Sequence, residues 1–158
     1  MAPKRISLAD PRFKFDPADP EGFKGGMLRP GPEVGAAMTG VSFYELPPGQ
    51  ALCPYHYEWG EEEWLLVTNG SPTLRDPDGE HQLEPMDLVF FSVGPAGAHQ
   101  VRNDTDQLVR CLMFSNVVHP TATVYPDSDK IGMWTDSERT DSLLVRRTAG
   151  LKYYDGEV

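Results

Sequence analysis

The sequence predicts an all-β fold, a sandwich or barrel of short strands. Fifteen glycines and fifteen prolines among 158 residues are too many turn formers for a helix bundle. Seven strand-like runs (38–46, 51–58, 63–68, 72–75, 88–92, 99–103 and 108–115) recur every ten residues or so, the rhythm of sandwiches and barrels. No segment of about 12 residues carries an apolar stripe of helical period.

Turn chemistry bounds the runs. Pro47-Pro48-Gly49 closes the first, and Asn69-Gly70 separates the third from the fourth. Asp76-Pro77-Asp78-Gly79 closes the fourth. Gly94-Pro95-Ala96-Gly97 lies between the fifth and sixth, and Asn103-Asp104 closes the sixth. Within the runs, a period of two assigns faces: Val41, Phe43 and Glu45 share one, and Val109, Cys111 and Met113 share another. Residues 1–37, with six prolines and five glycines, read as an extended N-terminal arm. Residues 38–117 read as the barrel core, and 118–158 as an irregular C-terminal extension that completes or packs on it. No repeat or low-complexity linker divides the chain, so one domain is expected.

A composition of 39% hydrophobic and 24% charged residues is that of a folded globular protein. A net charge of −10 leaves no basic face for phosphate backbones, so neither nucleic acid nor an anionic membrane is an expected partner. No apolar run is long enough for a membrane span. The opening stretch MAPKRISLADPRFKF lacks the continuous apolar core of a signal peptide. A cytoplasmic location is expected, with Cys53 and Cys111 as free thiols.

The chemistry concentrates in residues 53–67. If this stretch is extended, His56 and Glu58 point to the same side. Beyond the break at Trp59-Gly60, Glu63 falls in register with Leu65 and Val67 and is expected to point into the barrel. A buried carboxylate needs a cation or several donors, or it stays protonated. From Pro30 to Leu74 there is no Lys or Arg, yet there are six acids: Glu33, Glu45, Glu58, Glu61, Glu62 and Glu63. A divalent cation neutralises such a cluster, and mixed His and carboxylate ligands suit a transition metal. Glu61 and Glu62 read as a solvated patch, as charge runs usually do. Further on, His99 opens a strand after a Pro/Gly turn and shares a face with Val101 and Asn103.

Together the two segments resemble the two motifs of the cupin superfamily. Gly49, His56, Glu63 and Gly70 match the first motif; Asp87, Pro95, Gly97, His99 and Asn103 match the second. The second His of the family's His-x-His pair is Glu58 here. The resemblance covers about residues 40–117 and implies a double-stranded β-helix, or jelly-roll barrel. It also implies a metal site at His56, Glu58, Glu63 and His99 for a divalent Fe, Mn, Ni or Zn ion. The late Tyr-Pro-Asp-Ser-Asp-Lys and the Pro-Tyr-His-Tyr-Glu segment are similar to single-domain bacterial cupins of the conserved-barrel type that carry a sugar-phosphate isomerase label. That likeness implies a metal-dependent isomerase acting on a small polar molecule, a sugar or sugar phosphate, with Glu58 as the catalytic base. An Fe(II)-dependent oxygenase is one alternative and a non-catalytic ligand-binding barrel another. A homodimer is expected, with the arm reaching across a twofold axis.

The remaining notable residues receive plainer readings. Tyr55 and Tyr57 alternate with His56 and are expected to pack away from it, in the fold or against a subunit. Trp59 and Trp64 read as core or interface aromatics. Cys53, of opposite strand parity to His56, reads as a small buried hydrophobe. His81 is expected in an exposed turn, His119 is given no role, and Arg102 is expected to face away from the barrel interior. Asn103 is expected to hold the strand end by hydrogen bonds.

Overall fold

The computed structural model describes residues 2–136, 138 and 140–157. Its elements are β1 (Lys14–Phe15), β2 (Gly26–Leu28), α1 (Gly31–Val34), β3 (Thr39–Leu46), β4 (Tyr57–Glu58), β5 (Glu63–Asn69), β6 (Thr73–Asp76), β7 (Gly79–Gln82), β8 (Leu88–Phe91), β9 (Gln100–Arg102), β10 (Val109–Asn116), β11 (Thr121–Tyr125), β12 (Lys130–Trp134) and β13 (Leu143–Arg146). A six-stranded sheet runs β1-β2-β3-β10-β5-β8; smaller sheets run β13-β12-β11-β4 and β7-β6-β9. All strand pairs are antiparallel. This is the all-β jelly-roll barrel that the resemblance implied.

The inward faces follow the period of two. Leu65 and Val67 of β5 and Val109, Cys111 and Met113 of β10 are buried and meet Leu46 of β3 in one core. Register explains the meeting: Met113 sits opposite Leu65 on one side and Ser42 on the other. On β3 it is therefore Ser42, Tyr44 and Leu46 that face inward. Phe43 is covered from outside by Phe13, ring centroids 5.2 Å apart, and Glu45 pairs with Arg110 at 2.6 Å. Asn103 is fully buried, donating to the carbonyls of Leu46 and Gln107 and accepting from Thr105. It pins the strand end as expected.

Several expectations need correction. Residues of the arm supply β1 and β2, and β2 pairs with β3 as a continuation of the main sheet. Residues of the extension, read as irregular, form the β11-β12-β13 meander, and β11 also pairs with β4. In β13 no alternation shows in the sequence because that strand is exposed along its whole length. His81 lies in strand β7 rather than a turn, although it is exposed as expected; β7 has no buried residue and so shows no apolar alternation. The run 51–58 is strand only at Tyr57–Glu58, with bridges at Ala51 and His56. Trp59 and Trp64 are not core residues, being 54% and 42% exposed. Tyr55 and Tyr57 are buried, Tyr55 under the Arg75 guanidinium at 4.0 Å and Tyr57 edge-on to Trp59. Arg102 faces outward, paired with Glu80 and Asp104. Among the described residues no helix is long and apolar enough to cross a membrane.

Candidate metal centre

His56 and His99 are brought together by backbone, not by side-chain attraction. They form an isolated antiparallel bridge in which the His56 amide donates to the His99 carbonyl at 3.1 Å and the His99 amide to the His56 carbonyl at 2.8 Å. Residues paired in this way put their side chains on the same side. The two imidazoles lie 4.6 Å apart, centroid to centroid. Glu63 arrives from the start of β5 in the other sheet, carried inward by the parity it shares with Leu65 and Val67. Donor atoms of His56, Glu63 and His99 all lie within 4.8 Å of one another.

Both imidazoles are oriented from behind. His56 Nδ1 lies 3.0 Å from the Pro54 carbonyl and His99 Nδ1 lies 2.9 Å from the Gly97 carbonyl. A carbonyl can only accept, so each Nδ1 carries the proton and each Nε2 presents a lone pair. Phe91 stacks on His99 at 3.7 Å with the rings 9° from parallel, and Tyr125 stacks on His56 at 6.0 Å. Burial, together with the neighbouring His56, holds His99 well below its ordinary value, at about 3. Burial likewise lowers His56. Both rings are neutral near neutral pH, the form that ligates metal.

The consequence is a confrontation of acceptors. His99 Nε2 and Glu63 Oε2 are buried, lie 3.5 Å apart, and neither has a hydrogen-bond partner. With the imidazole neutral this is no ion pair, and whenever Glu63 is ionised two lone pairs face one another. Burial, and then the charge of Glu61, raise Glu63 to about 7. A divalent cation satisfies both atoms at once, and backbone-anchored imidazoles are the usual support of a metal ligand. The residues present therefore fit a metal ion, with His56, Glu63 and His99 as the group that would hold it.

Glu58, the fourth ligand expected from the sequence, stands outside that group of three. Its Oε1 accepts from Thr123 Oγ1 at 3.2 Å, and Thr123 accepts from Trp134 Nε1 at 2.8 Å. Glu61 is its carboxyl partner, a contact that is a hydrogen bond only while one of the two carries a proton; without it Glu58 Oε2 is buried and unpartnered. Burial, the Glu61 hydrogen bond and the charges of Glu63 and Glu61 raise Glu58 to about 9. Glu61, read from sequence as solvated, thus belongs to the site, while Glu62 is exposed. The signal for Glu61 was Gly60: a Cβ there would meet Thr121 Oγ1 at 2.7 Å, so the chain bends tightly against β11 and returns Glu61 to Glu58. Cys53 also departs from expectation. Its Sγ lies 3.4 Å from His56 Nδ1, because residues 52–55 are not regular strand and strand parity does not apply there.

The group opens on a cavity of about 1040 Å³. His56, Glu58, Glu61, Glu63 and His99 line it, with Tyr44 and Cys53 beside them. His119, given no role from sequence, also lines this cavity.

The titrations predict a measurable pH dependence for metal-stripped protein. Glu58 and Glu63 have raised folded-state values, so their contribution is fully present below the unfolded 4.5 and is lost by about 9 and about 7. The histidines have lowered values and act oppositely, but only below the unfolded 6.5. Between pH 6.5 and about 8.5 the carboxyls act alone, before the buried thiols of Cys53 and Cys111 add the same sign. Urea unfolding in chelator is expected to show a loss of about 3 kcal/mol across this window. Glu58→Gln is expected to flatten most of it; an unchanged slope in that variant would contradict the assignment.

Residues 42–115 match the model of the cupin domain. This segment is a cupin domain. Solved structures agree with that fold. A sugar phosphate isomerase of the cupin superfamily from Silicibacter pomeroyi is 24% identical, with 96% of this chain and 98% of that one covered, at a TM-score of 0.80. A protein provisionally named sugar phosphate isomerase from Acidithiobacillus ferrooxidans is 24% identical, covering 83% and 81%, at 0.75. A polyketide cyclase from Streptomyces resistomycificus is 21% identical, covering 73% and 80%, at 0.58. No curated protein matches the sequence. Within the cupin domain, both motif histidines and the motif glutamate converge, while the residue replacing the family's second histidine is the one that stays outside the group of three.

Proposed function

We propose that this cupin is a metal-dependent enzyme acting on a small polar molecule, isomerase-like on a sugar or sugar phosphate. The observation that carries this reading is the set of buried acceptors at His99 and Glu63, with two backbone-anchored imidazoles, on a cavity of about 1040 Å³. That volume suits a small molecule rather than a polymer. The structural neighbours named sugar phosphate isomerases support the class of reaction. A divalent ion on His56, Glu63 and His99 would supply Lewis-acid polarisation of a substrate carbonyl.

The chain's own contribution is proton handling. Isomerisation between neighbouring carbons needs a group that removes a proton from one position and returns one to the other. Glu58, hydrogen-bonded to Glu61, holds a proton beside the group of three, and Thr123, itself fixed by Trp134, orients the Glu58 carboxyl. Glu58 is held protonated near neutral pH, so it enters as a proton donor, with Glu61 as its exchange partner, rather than as the free base expected from sequence.

The test is aldose–ketose interconversion followed by NMR in deuterated water across a panel of sugars and sugar phosphates, with metal-loaded protein. Glu58→Gln is expected to lower kcat by about 100-fold or more while metal content stays unchanged. Absence of interconversion across the panel in the metal-loaded wild type would overturn the isomerase reading. Two histidines with one carboxylate are also the donor set of non-haem iron oxygenases, and this favours a second reading as an oxygenase. Strict dependence on iron with oxygen consumption would select it; full activity with zinc or nickel would reject it.

A further inference from the structure

The cavity wall is unusually one-sided in charge. Asp19, Glu58, Glu61, Glu63 and Asp136 line it, and the one Lys or Arg among its described lining residues is Arg29. Arg29 follows β2 and lies immediately before the stretch Pro30 to Leu74 that lacks any Lys or Arg. The barrel's other arginines are engaged: Arg75 by Asp127, Arg102 by Glu80 and Asp104, and Arg110 by Glu45. Arg29 is exposed on the cavity side and makes no ion pair among the described residues, despite a chain of net charge −10.

We propose that the substrate is an oxyanion-bearing molecule, a sugar acid or sugar phosphate rather than a neutral sugar, and that Arg29 is the residue that selects it. The inference rests on the small-molecule reading of this cavity but not on any turnover. A guanidinium presents a planar fork matched to a carboxylate or phosphate. Without it the carboxylate-lined cavity would repel such a ligand. A neutral sugar gains at most an ordinary hydrogen bond from the same group. Tyr44 lines the same cavity as Arg29, His56, Glu63 and His99. A ligand with its anionic group on Arg29 keeps its remaining oxygens within the cavity that the group of three lines.

Calorimetric binding to metal-loaded protein tests this with three probes: glucose, glucuronate and glucose 6-phosphate. The wild type is expected to bind at least one anionic probe about 10- to 100-fold more tightly than glucose. Arg29→Gln is expected to remove that preference, lowering affinity for the anionic probes far more than for glucose, while leaving metal content and melting temperature unchanged. Arg29→Lys is expected to restore part of it. Preference for glucuronate over glucose 6-phosphate identifies a carboxylate, and the reverse a phosphate. Equal affinity for all three probes, no detectable binding of any, or undiminished anion preference in Arg29→Gln, would overturn the proposal. Because the readout is binding, failure of the isomerase reading would leave this result intact, and the converse also holds.

Discussion

Replacing Glu63 by alanine is expected to weaken divalent-metal binding by more than about 100-fold, and His99→Ala is expected to do the same. Removing a group that only hydrogen-bonds a metal ligand already costs roughly 10- to 100-fold, and these residues are direct donors. Catalytic sites hold their metal with about three protein ligands, so loss of one from a group of three leaves too few. The fold is not expected to suffer with the metal. Glu63 is a buried carboxyl raised to about 7 with an unpartnered oxygen, and its removal relieves that cost. Glu63→Ala is therefore expected to melt no lower than the metal-stripped wild type. Glu58→Ala is expected to retain metal, since Glu58 lies outside the group of three. Elemental analysis after incubation with Fe, Mn, Ni and Zn, beside circular dichroism, checks all three variants. Wild-type levels of metal in Glu63→Ala, or none in the wild type, would refute this assignment.

Gly97→Ala is expected to be the most damaging single-methyl change in the barrel, lowering stability by about 3 kcal/mol or more. A Cβ at Gly97 would sit 1.8 Å from the Ser92 carbonyl oxygen and under 3 Å from two further Ser92 backbone atoms. These are backbone atoms, so no side chain can swing aside. The turn Pro95–Gly97 must open, and the Gly97 carbonyl that holds His99 Nδ1 at 2.9 Å moves with it. A fall of about 6–12 °C in Tm is expected for a chain of this size, together with weakened metal binding. Gly49→Ala is the matched comparison. Gly49 has φ +77° but open space around it, so only the left-handed strain of about 1–2 kcal/mol applies. Equal effects from the two substitutions would show that steric closeness at Ser92 is not the cause.

The parts of this protein that were legible in its sequence are those set by local rules. Pro/Gly turns and a side-chain period of two placed the inward faces of β5 and β10 correctly and put Glu63 inside with Leu65 and Val67. The same parity turned Arg102 outward, and the spacing around His56 and His99 carried the resemblance that the matched cupin domain supports. Strand alternation needs only neighbouring residues to be stated, so it survives without coordinates.

What escaped were features made by contacts distant along the chain. Strands β7 and β13 lack a buried face, and with it the alternation by which strands are found. Glu61 reaches Glu58 because Gly60 lets the chain bend against Thr121, far along the chain. Cys53 reaches His56 because residues 52–55 leave the strand. Arg29, from the segment before α1, lines the same cavity as His99 only once β2 has paired with β3. By itself the sequence determined which side chains could ligate and which way β5 and β10 present theirs. The tertiary structure decided what else joins them, Glu61 and Cys53 beside the expected histidines and Glu63, and Arg29 on the same cavity, because bridging, bending and burial are properties of chain segments packed together.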